Sequence, residues 1–164
     1  MGIVRNIISL GVIVMVSLSV YSQAAYYRER FRLENMLNGR DSLDLQSAVY
    51  AVENAYHNGN LNQYAFDKHI DMYAEFCKRI ILSGDIRYDG KGDERSAMAQ
   101  CAVFVFMTDT IPMQMGDTVV GHLPFEYNFD DYSGREDWSS MFVSRMMQTR
   151  RGNCHSCLLY TSPS

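Results

Sequence analysis

Apolar residues recur at helical spacing along much of the chain, and this spacing constrains the fold more than any other feature. Between Leu61 and Leu82 they are separated by four, three, four and three positions, which places them on one face of an α-helix. The residues of this seam are Phe66, Ile70, Tyr73, Cys77 and Ile80. The pattern predicts a helix with one buried face, and Ser83-Gly84 marks its end.

The segment before this helix has a similar stripe. Its apolar members are Leu45, Val49, Val52 and Tyr56, whereas Gln46, Glu53 and Asn54 fall off the stripe. Asp41 or Ser42 is the expected N-cap of the helix. Since residues 57–60 read His-Asn-Gly-Asn, a tight turn is expected next, and the two helices are expected to form a helical hairpin.

The flanking segments have weaker patterns. Residues 26–37 mix charged and apolar side chains and fit either a short helix or a juxtamembrane stem, which Asn38-Gly39 would close. Residues 93–107 fit a helix capped by Asp93 or Ser96, although the apolar run over residues 101–107 also fits a buried strand. The charged capping segment favours the helix.

The second half of the chain contains more helix breakers. Residues 108–133 carry two prolines and two glycines and are expected to form an irregular loop whose aromatic residues pack on the body. Asp137 is the expected N-cap of a last helix that carries Trp138 and ends at Thr149-Arg150-Arg151-Gly152. The fold class is therefore predicted to be mainly α, a helical hairpin plus further helices.

The first 24 residues have the features of an export signal. Arg5 supplies a positive charge, residues 7–20 form an apolar run, and Ser22-Gln23-Ala24 offers small residues where a signal peptidase cleaves. The alternative is an uncleaved membrane anchor over residues 7–21, although the run is short for a spanning helix. The protein is therefore expected in the periplasm or cell envelope, with residues 25–41 as a stem and residues 42–152 as a helical region.

The charge balance argues against one broad class of partner. Without Arg5, the 15 basic residues become 14, against 19 acidic residues. No basic patch is interleaved with aromatic residues, so nucleic acid is not expected as a partner. Asp130-Asp131 and Glu136-Asp137 lack the glycine-centred spacing of a calcium loop and are expected to cap helices or lie in solvent. No metal or cofactor is predicted.

Four cysteines in an exported chain normally suggest disulfides. Residues 157–164 back-translate to the transposon end that is used to prepare sequencing libraries, so they are expected to be an adapter-derived tail. A redox or zinc motif made of Cys154 and Cys157 is therefore disfavoured. Cys77 and Cys101 lie on apolar stripes and are expected to be buried free thiols, with a disulfide between them as the alternative.

Cys154 occupies a position that favours thiolate chemistry. Asn153 is the expected N-cap of a new helix, with Cys154 as its first residue. Unpaired N–H groups and the positive end of the helix dipole stabilise a thiolate, and the same groups stabilise an oxyanion after attack on a carbonyl. Gly152 is expected to let a substrate backbone approach closely. These three residues form the candidate catalytic and oxyanion site.

The segment Gly152-Asn153-Cys154-His155-Ser156 resembles bacterial transglutaminase-like proteins of the papain-like thiol superfamily, together with the preceding Trp138, Met141-Phe142-Val143 and Thr149-Arg150-Arg151. The helix over residues 44–56 is similar to the helical region that such proteins carry before their core. The resemblance extends over residues 42–156, and its specific part is the last few residues. It implies a thiol hydrolase or acyltransferase that acts on protein or peptide amides, truncated just after its nucleophile, with the sheet of the α+β fold missing.

The resemblance also implies a catalytic His and then an Asp downstream of residue 156. His155 is a poor base for Cys154, because neighbours on a helix point about 100° apart. His57, His69 and His122 are expected to have surface or local hydrogen-bonding roles. The fragment itself is therefore expected to be inactive. The alternative function is a non-catalytic helical module of the cell envelope that binds a protein through the aromatic loop over residues 125–132.

Overall fold

The computed structural model describes residues 23–84, 86–88, 90, 92–115 and 117–161. Within these ranges the chain is mainly helical, as predicted. The apolar run of the expected export signal lies outside them, as do residues 162–164. The described helices include none that combines the length and the apolar composition needed to cross a bilayer. The chain divides into two compact units, with the boundary between Gln63 and Tyr64.

The first unit contains helix α1 over residues 23–37 and helix α2 over Leu45–Tyr56. Residues 26–37 are thus helical, and the helix ends at the predicted Asn38-Gly39, where Gly39 has φ 67° and donates to the Met36 carbonyl. The N-cap of α2 is Asp44 and not Asp41 or Ser42, because the Asp44 carboxylate accepts the Ser47 N–H at 2.8 Å.

The buried face of α2 is not the predicted one. Val52 is 53% exposed, whereas Glu53 and Asn54 are each 2% exposed. Polar side chains tolerate burial where they find partners. Asn54 Nδ2 donates to Glu29 Oε1 at 2.8 Å, and Asn54 Oδ1 accepts the Leu61 N–H at 3.0 Å. Three of the four residues of the predicted apolar stripe are exposed, namely Leu45, Val52 and Tyr56.

The predicted turn after α2 is confirmed. Asn58 and Gly59 have φ 55° and 79°, and a Cβ on Gly59 would lie 2.9 Å from Arg28 Nη2 and 3.2 Å from Ala25 Cβ. Glycine is therefore required by both the backbone conformation and the close approach. Because α2 and nearly all of the next helix belong to different units, the helical hairpin stays a prediction.

The second unit is built on α3 (Gln63–Leu82) and α4 (Glu94–Thr108). The seam of α3 is confirmed, since Phe66, Tyr73 and Ile80 are buried, and α3 is followed by Gly84 with φ 76°. Residues 94–108 form the helix that was favoured over a strand, and Asp93 is its N-cap.

An aromatic cluster forms the core of this unit. Phe106 of α4 is fully buried, with its ring 4.2 Å from His122 and 4.9 Å from Tyr73. Phe125 adds a ring 5.8 Å from Phe106. The expectation that Cys101 would be buried is wrong, because this thiol lies on the exposed side of α4.

Residues 108–133 contain strands and not only an irregular loop. β1 (Ile111–Met115) and β2 (Thr118–His122) form an antiparallel hairpin, with Met115 opposite Thr118. The intervening sequence is Gly116-Asp117, a pair typical of two-residue hairpin turns. The sequence analysis predicts a loop here because Pro112 and Pro124 are typical of irregular segments, and it therefore misses the hairpin signal.

The last predicted helix is divided. Asp137 is an N-cap as predicted, but it caps a 3-10 helix over Trp138–Met141. Phe142 is extended, and α5 begins after it and spans Val143–Thr149. The helix ends inside the predicted segment of residues 149–152, at Arg150, which has the left-handed conformation with φ 54°. Its N–H donates to the Met146 carbonyl at 2.8 Å, which closes the helix.

Candidate functional site

A short pair of strands brings the aromatic loop to the candidate nucleophile. β3 (Glu126–Tyr127) runs parallel to β4 (Arg151–Gly152), with Tyr127 opposite Gly152. The N–H of Asn128 donates to the Gly152 carbonyl at 2.8 Å. Tyr127 is therefore fixed beside the residues that lead directly into Asn153 and Cys154.

The next helix, α6 (Cys154–Thr161), begins where the sequence predicts. Asn153 Oδ1 accepts the N–H groups of His155 and Ser156 at 3.1 and 3.4 Å, and Ser156 Oγ accepts the Asn153 N–H at 3.0 Å. This reciprocal pattern is a capping box. Asn153 is 1% and Ser156 0% exposed, whereas Cys154 is exposed. The cap is thus buried and the thiol is open to solvent.

The cap leaves one backbone donor of the first turn unused. The N–H groups of His155 and Ser156 bond to Asn153 Oδ1, and that of Cys157 bonds to the Asn153 carbonyl at 3.1 Å. The Cys154 N–H has no acceptor among the described residues. A donor at the start of a helix, next to an exposed thiol, is suited to stabilise the oxyanion that forms when that thiol attacks a carbonyl group.

The Tyr127 hydroxyl lies 3.0 Å from Cys154 Sγ. This hydrogen bond is the main cause of a raised pKa of Tyr127, with desolvation second. Because the hydroxyl holds its proton more tightly than usual, Tyr127 is the donor whenever the sulfur is a thiolate. The Phe129 ring packs 4.7 Å from the Tyr127 ring and limits its movement.

Gly152 has a different structural role from the one expected. A Cβ at this position would lie 2.6 Å from Ser156 Oγ and 2.9 Å from Met146 Cγ. The residue is buried, so the atoms that approach it closely belong to the protein's own core. Gly152 therefore allows the capping box to pack against α5.

The other cysteines have distinct environments. Cys77, Cys101, Cys154 and Cys157 are all free thiols in this structure. Burial is the main cause of a raised pKa for Cys77 and Cys157, and Cys157 Sγ lies 3.9 Å from Met146 Sδ. Cys101 resembles Cys154 in being exposed, but it lies within α4 and not at a helix start.

The remaining histidines make local contacts. His122 is buried and its Nε2 lies 2.7 Å from the Phe106 carbonyl oxygen, and His69 Nδ1 lies 2.8 Å from the Ala65 carbonyl oxygen. His155 is exposed on the first turn of α6. These positions agree with the local roles expected for His69 and His122.

The acidic residues before α5 act as caps. Asp131 accepts the N–H groups of Arg135, Glu136 and Asp137 at 2.8, 3.3 and 2.9 Å. These bonds, led by the one from Asp137, hold the pKa of Asp131 below its usual range. In the part of the chain that the structure describes, no group of three His, Cys, Asp or Glu side chains has the geometry of a metal site.

Two residues of the site were missed by sequence reasoning. Ser156 belongs to the segment that carries the resemblance, but the sequence analysis does not identify it as half of a capping box, although its place three positions after Asn153 fits one. Tyr127 was assigned only to the aromatic loop. It contacts Cys154 across 27 positions of sequence, and a contact of this range leaves no periodic signal in the chain.

The comparisons with protein-family models, with curated proteins and with solved structures each gave no match to this chain.

Proposed function

We propose that Cys154 is the nucleophile of an exported, transglutaminase-like thiol hydrolase or acyltransferase that acts on amide carbonyls of proteins or peptides. The observation that carries this proposal is the combination at the start of α6. An exposed thiol, an unused N–H group on the same residue and the Tyr127 hydroxyl lie together there. Asn153 and Gly152 are positioning residues, because they hold and pack the capping box.

The chemistry follows from these groups. The Cys154 thiolate attacks the carbonyl carbon, an S–C bond forms, and the negative charge moves to the carbonyl oxygen, where the Cys154 N–H can donate. The C–N bond then breaks, and the amine leaves with a proton from the downstream His that the resemblance implies. Water or a second amine resolves the thioester, which gives hydrolysis or acyl transfer. An activated ester expels its leaving group without a proton, so it is expected to acylate Cys154 independently of that His.

Thiol labelling tests the proposal on the chain as it stands. Cys154 should react with iodoacetamide well below pH 8 and about tenfold or more faster than Cys101, because only Cys154 lies at a helix N-terminus. Cys101 is a matched control, since both thiols are exposed. Mass spectrometry of the labelled peptides separates the two rates. A Cys157→Ala background prevents a disulfide with Cys154 from hiding the reaction. Equal rates at the two exposed thiols would show that the proposal is wrong.

A second candidate function is supported by the aromatic loop. Phe129 and Tyr132 are 78% and 66% exposed, and exposed aromatic side chains are common in protein-binding surfaces. In this alternative the chain is a non-catalytic helical module of the cell envelope that binds a protein partner through residues 125–132. Ordinary reactivity of Cys154 in the labelling experiment would favour the alternative.

A further inference from the structure

The start of α6 differs from the other capped helix starts because a side chain from another element contacts its first residue. Four of the described helices, counting the 3-10 helix, follow an Asp or Asn that has a Ser three positions after it. These pairs are Asp44 and Ser47, Asp93 and Ser96, Asp137 and Ser140, and Asn153 and Ser156. The cap alone is therefore an ordinary structural device of this chain. At α6 a tyrosine hydroxyl from another element approaches the first residue of the helix.

We infer that Tyr127 is a catalytic residue of the Cys154 site, a second oxyanion donor beside the Cys154 N–H. The inference rests on the proposed function. Before attack, the hydroxyl donates to the thiolate at 3.0 Å. Once the sulfur has bonded to the carbonyl carbon, it carries no charge, and the charge lies on an oxygen two bonds away. A hydroxyl this close to the sulfur can turn its O–H towards that oxygen by rotation about the bond between the ring and the hydroxyl oxygen, while the ring stays in place.

The protonation of Tyr127 supports this role. Its pKa is raised, mainly by the hydrogen bond to Cys154, so the hydroxyl keeps its proton to a higher pH than an ordinary tyrosine does. The pairing of β3 with β4 holds the backbone of Tyr127, and the centroid of the Phe129 ring lies 4.7 Å from that of the Tyr127 ring. A donor that is held in place before the reaction costs little reorganisation in the transition state.

A second observation at the same helix start is independent of the Tyr127 hydrogen bond. Asn153 is 1% exposed, and its Nδ2 group has no hydrogen-bond partner among the described residues. Buried donors are nearly always paired in folded proteins, and an exception indicates a missing acceptor or a functional role. At the end of the helix where Tyr127 and Cys154 meet, the described residues thus leave two donors without an acceptor, the buried Asn153 Nδ2 group and the N–H of the exposed Cys154.

The test compares two reactions of the same thiol in the full chain. Acylation by p-nitrophenyl acetate forms the S–C bond, passes through an oxyanion and expels nitrophenolate with the bonding electron pair, so no proton donor is needed. Alkylation by iodoacetamide forms an S–C bond without an oxyanion. Tyr127→Phe should slow acylation of Cys154 about tenfold and leave alkylation unchanged or faster, when both are measured on the pH plateau. Tyr64→Phe, at an exposed tyrosine of α3, should change neither rate.

The outcomes test the role of Tyr127 separately from the proposal that Cys154 is a nucleophile. If Tyr127→Phe changes acylation and alkylation by the same factor, the hydroxyl acts only on the thiolate, and the inference is overturned while the nucleophile stands. If the wild-type chain acylates Cys154 no faster than Cys101, the proposed function fails and the inference fails with it. A thermal melt of each variant checks that the loss of one hydroxyl leaves the fold intact.

Discussion

Gly152 connects the packing of the core to the position of the candidate nucleophile. An added Cβ would meet atoms of two side chains that have little freedom to move. Ser156 Oγ is held by its bond to the Asn153 N–H, and Met146 is fully buried. Any relief of the clash must therefore shift the start of α6, and Cys154 with it.

We expect Gly152→Ala to destabilise the fold by about 1–3 kcal/mol, as overpacked cores usually are, and to slow the alkylation of Cys154. Urea denaturation and the labelling rate measure the two effects. Gly121→Ala is the matched control, because a Cβ there meets nothing within 4 Å. A Gly152→Ala variant with wild-type stability and reactivity would contradict the close packing described here.

At the scale of secondary-structure elements, α2 shows that hydrogen bonds can select the buried face of a helix. Asn54 connects α2 to α1 through Glu29 and to the following turn through Leu61. The apolar side chains of the predicted stripe are left largely exposed, with Val52 as the example. From apolar content alone, Val52 would be expected to stabilise the fold more than Asn54 does. The burial of the two residues indicates the opposite.

Asn54→Ala is expected to lower the free energy of unfolding by about 1–3 kcal/mol, because it leaves the Leu61 N–H and Glu29 without this partner. Val52→Ala should change it by less than about 0.5 kcal/mol, as is usual for exposed positions. Urea titrations of the two variants give the comparison directly. A larger loss for Val52→Ala than for Asn54→Ala would show that the predicted stripe is the packed face after all.

These elements also show what sequence reasoning can reach. The seam of α3 was predictable because its burial follows the helical period, and the start of α6 was predictable because Asn153 is a strong N-cap. The face of α2 was not, since its burial depends on hydrogen bonds to Glu29 and Leu61 that periodicity does not encode. The contact of Tyr127 with Cys154 was not, because it depends on strand pairing between distant segments.

At the scale of the whole molecule, the aspartate caps make the free energy of unfolding depend on pH in the acid range. The pKa values of Asp44, Asp93 and Asp137 are lowered mainly by side-chain hydrogen bonds from Ser47, Ser96 and Ser139, and that of Asp131 mainly by the Asp137 N–H. The unfolded chain therefore binds more protons at low pH than the folded chain does. The stabilisation is present above the unfolded value of about 3.9 and is lost as the pH falls through the lower folded values.

Two half-buried thiols and one buried phenol set the limit of stability at high pH. Burial raises the pKa of Cys77, Cys157 and Tyr73, so the unfolded chain releases these protons first as the pH rises. Their contribution is present below the unfolded values of about 8.5 for Cys and 10 for Tyr, and it is lost as the pH rises through the higher folded values. Stability is therefore expected to be greatest between these limits, near neutral pH.

Melting temperatures measured from about pH 2 to pH 10 should trace this maximum. Asp131→Asn should lower the Tm near neutral pH and flatten the acid side of the curve, because the variant lacks the carboxylate that accepts three N–H groups in the folded state. Asp130→Asn, at the neighbouring exposed carboxylate that pairs with Arg151 at 3.0 Å, should leave the acid side nearly unchanged, since exposed ion pairs contribute little. If the two variants flatten the curve equally, general surface charge and not the Asp131 cap governs the response to acid.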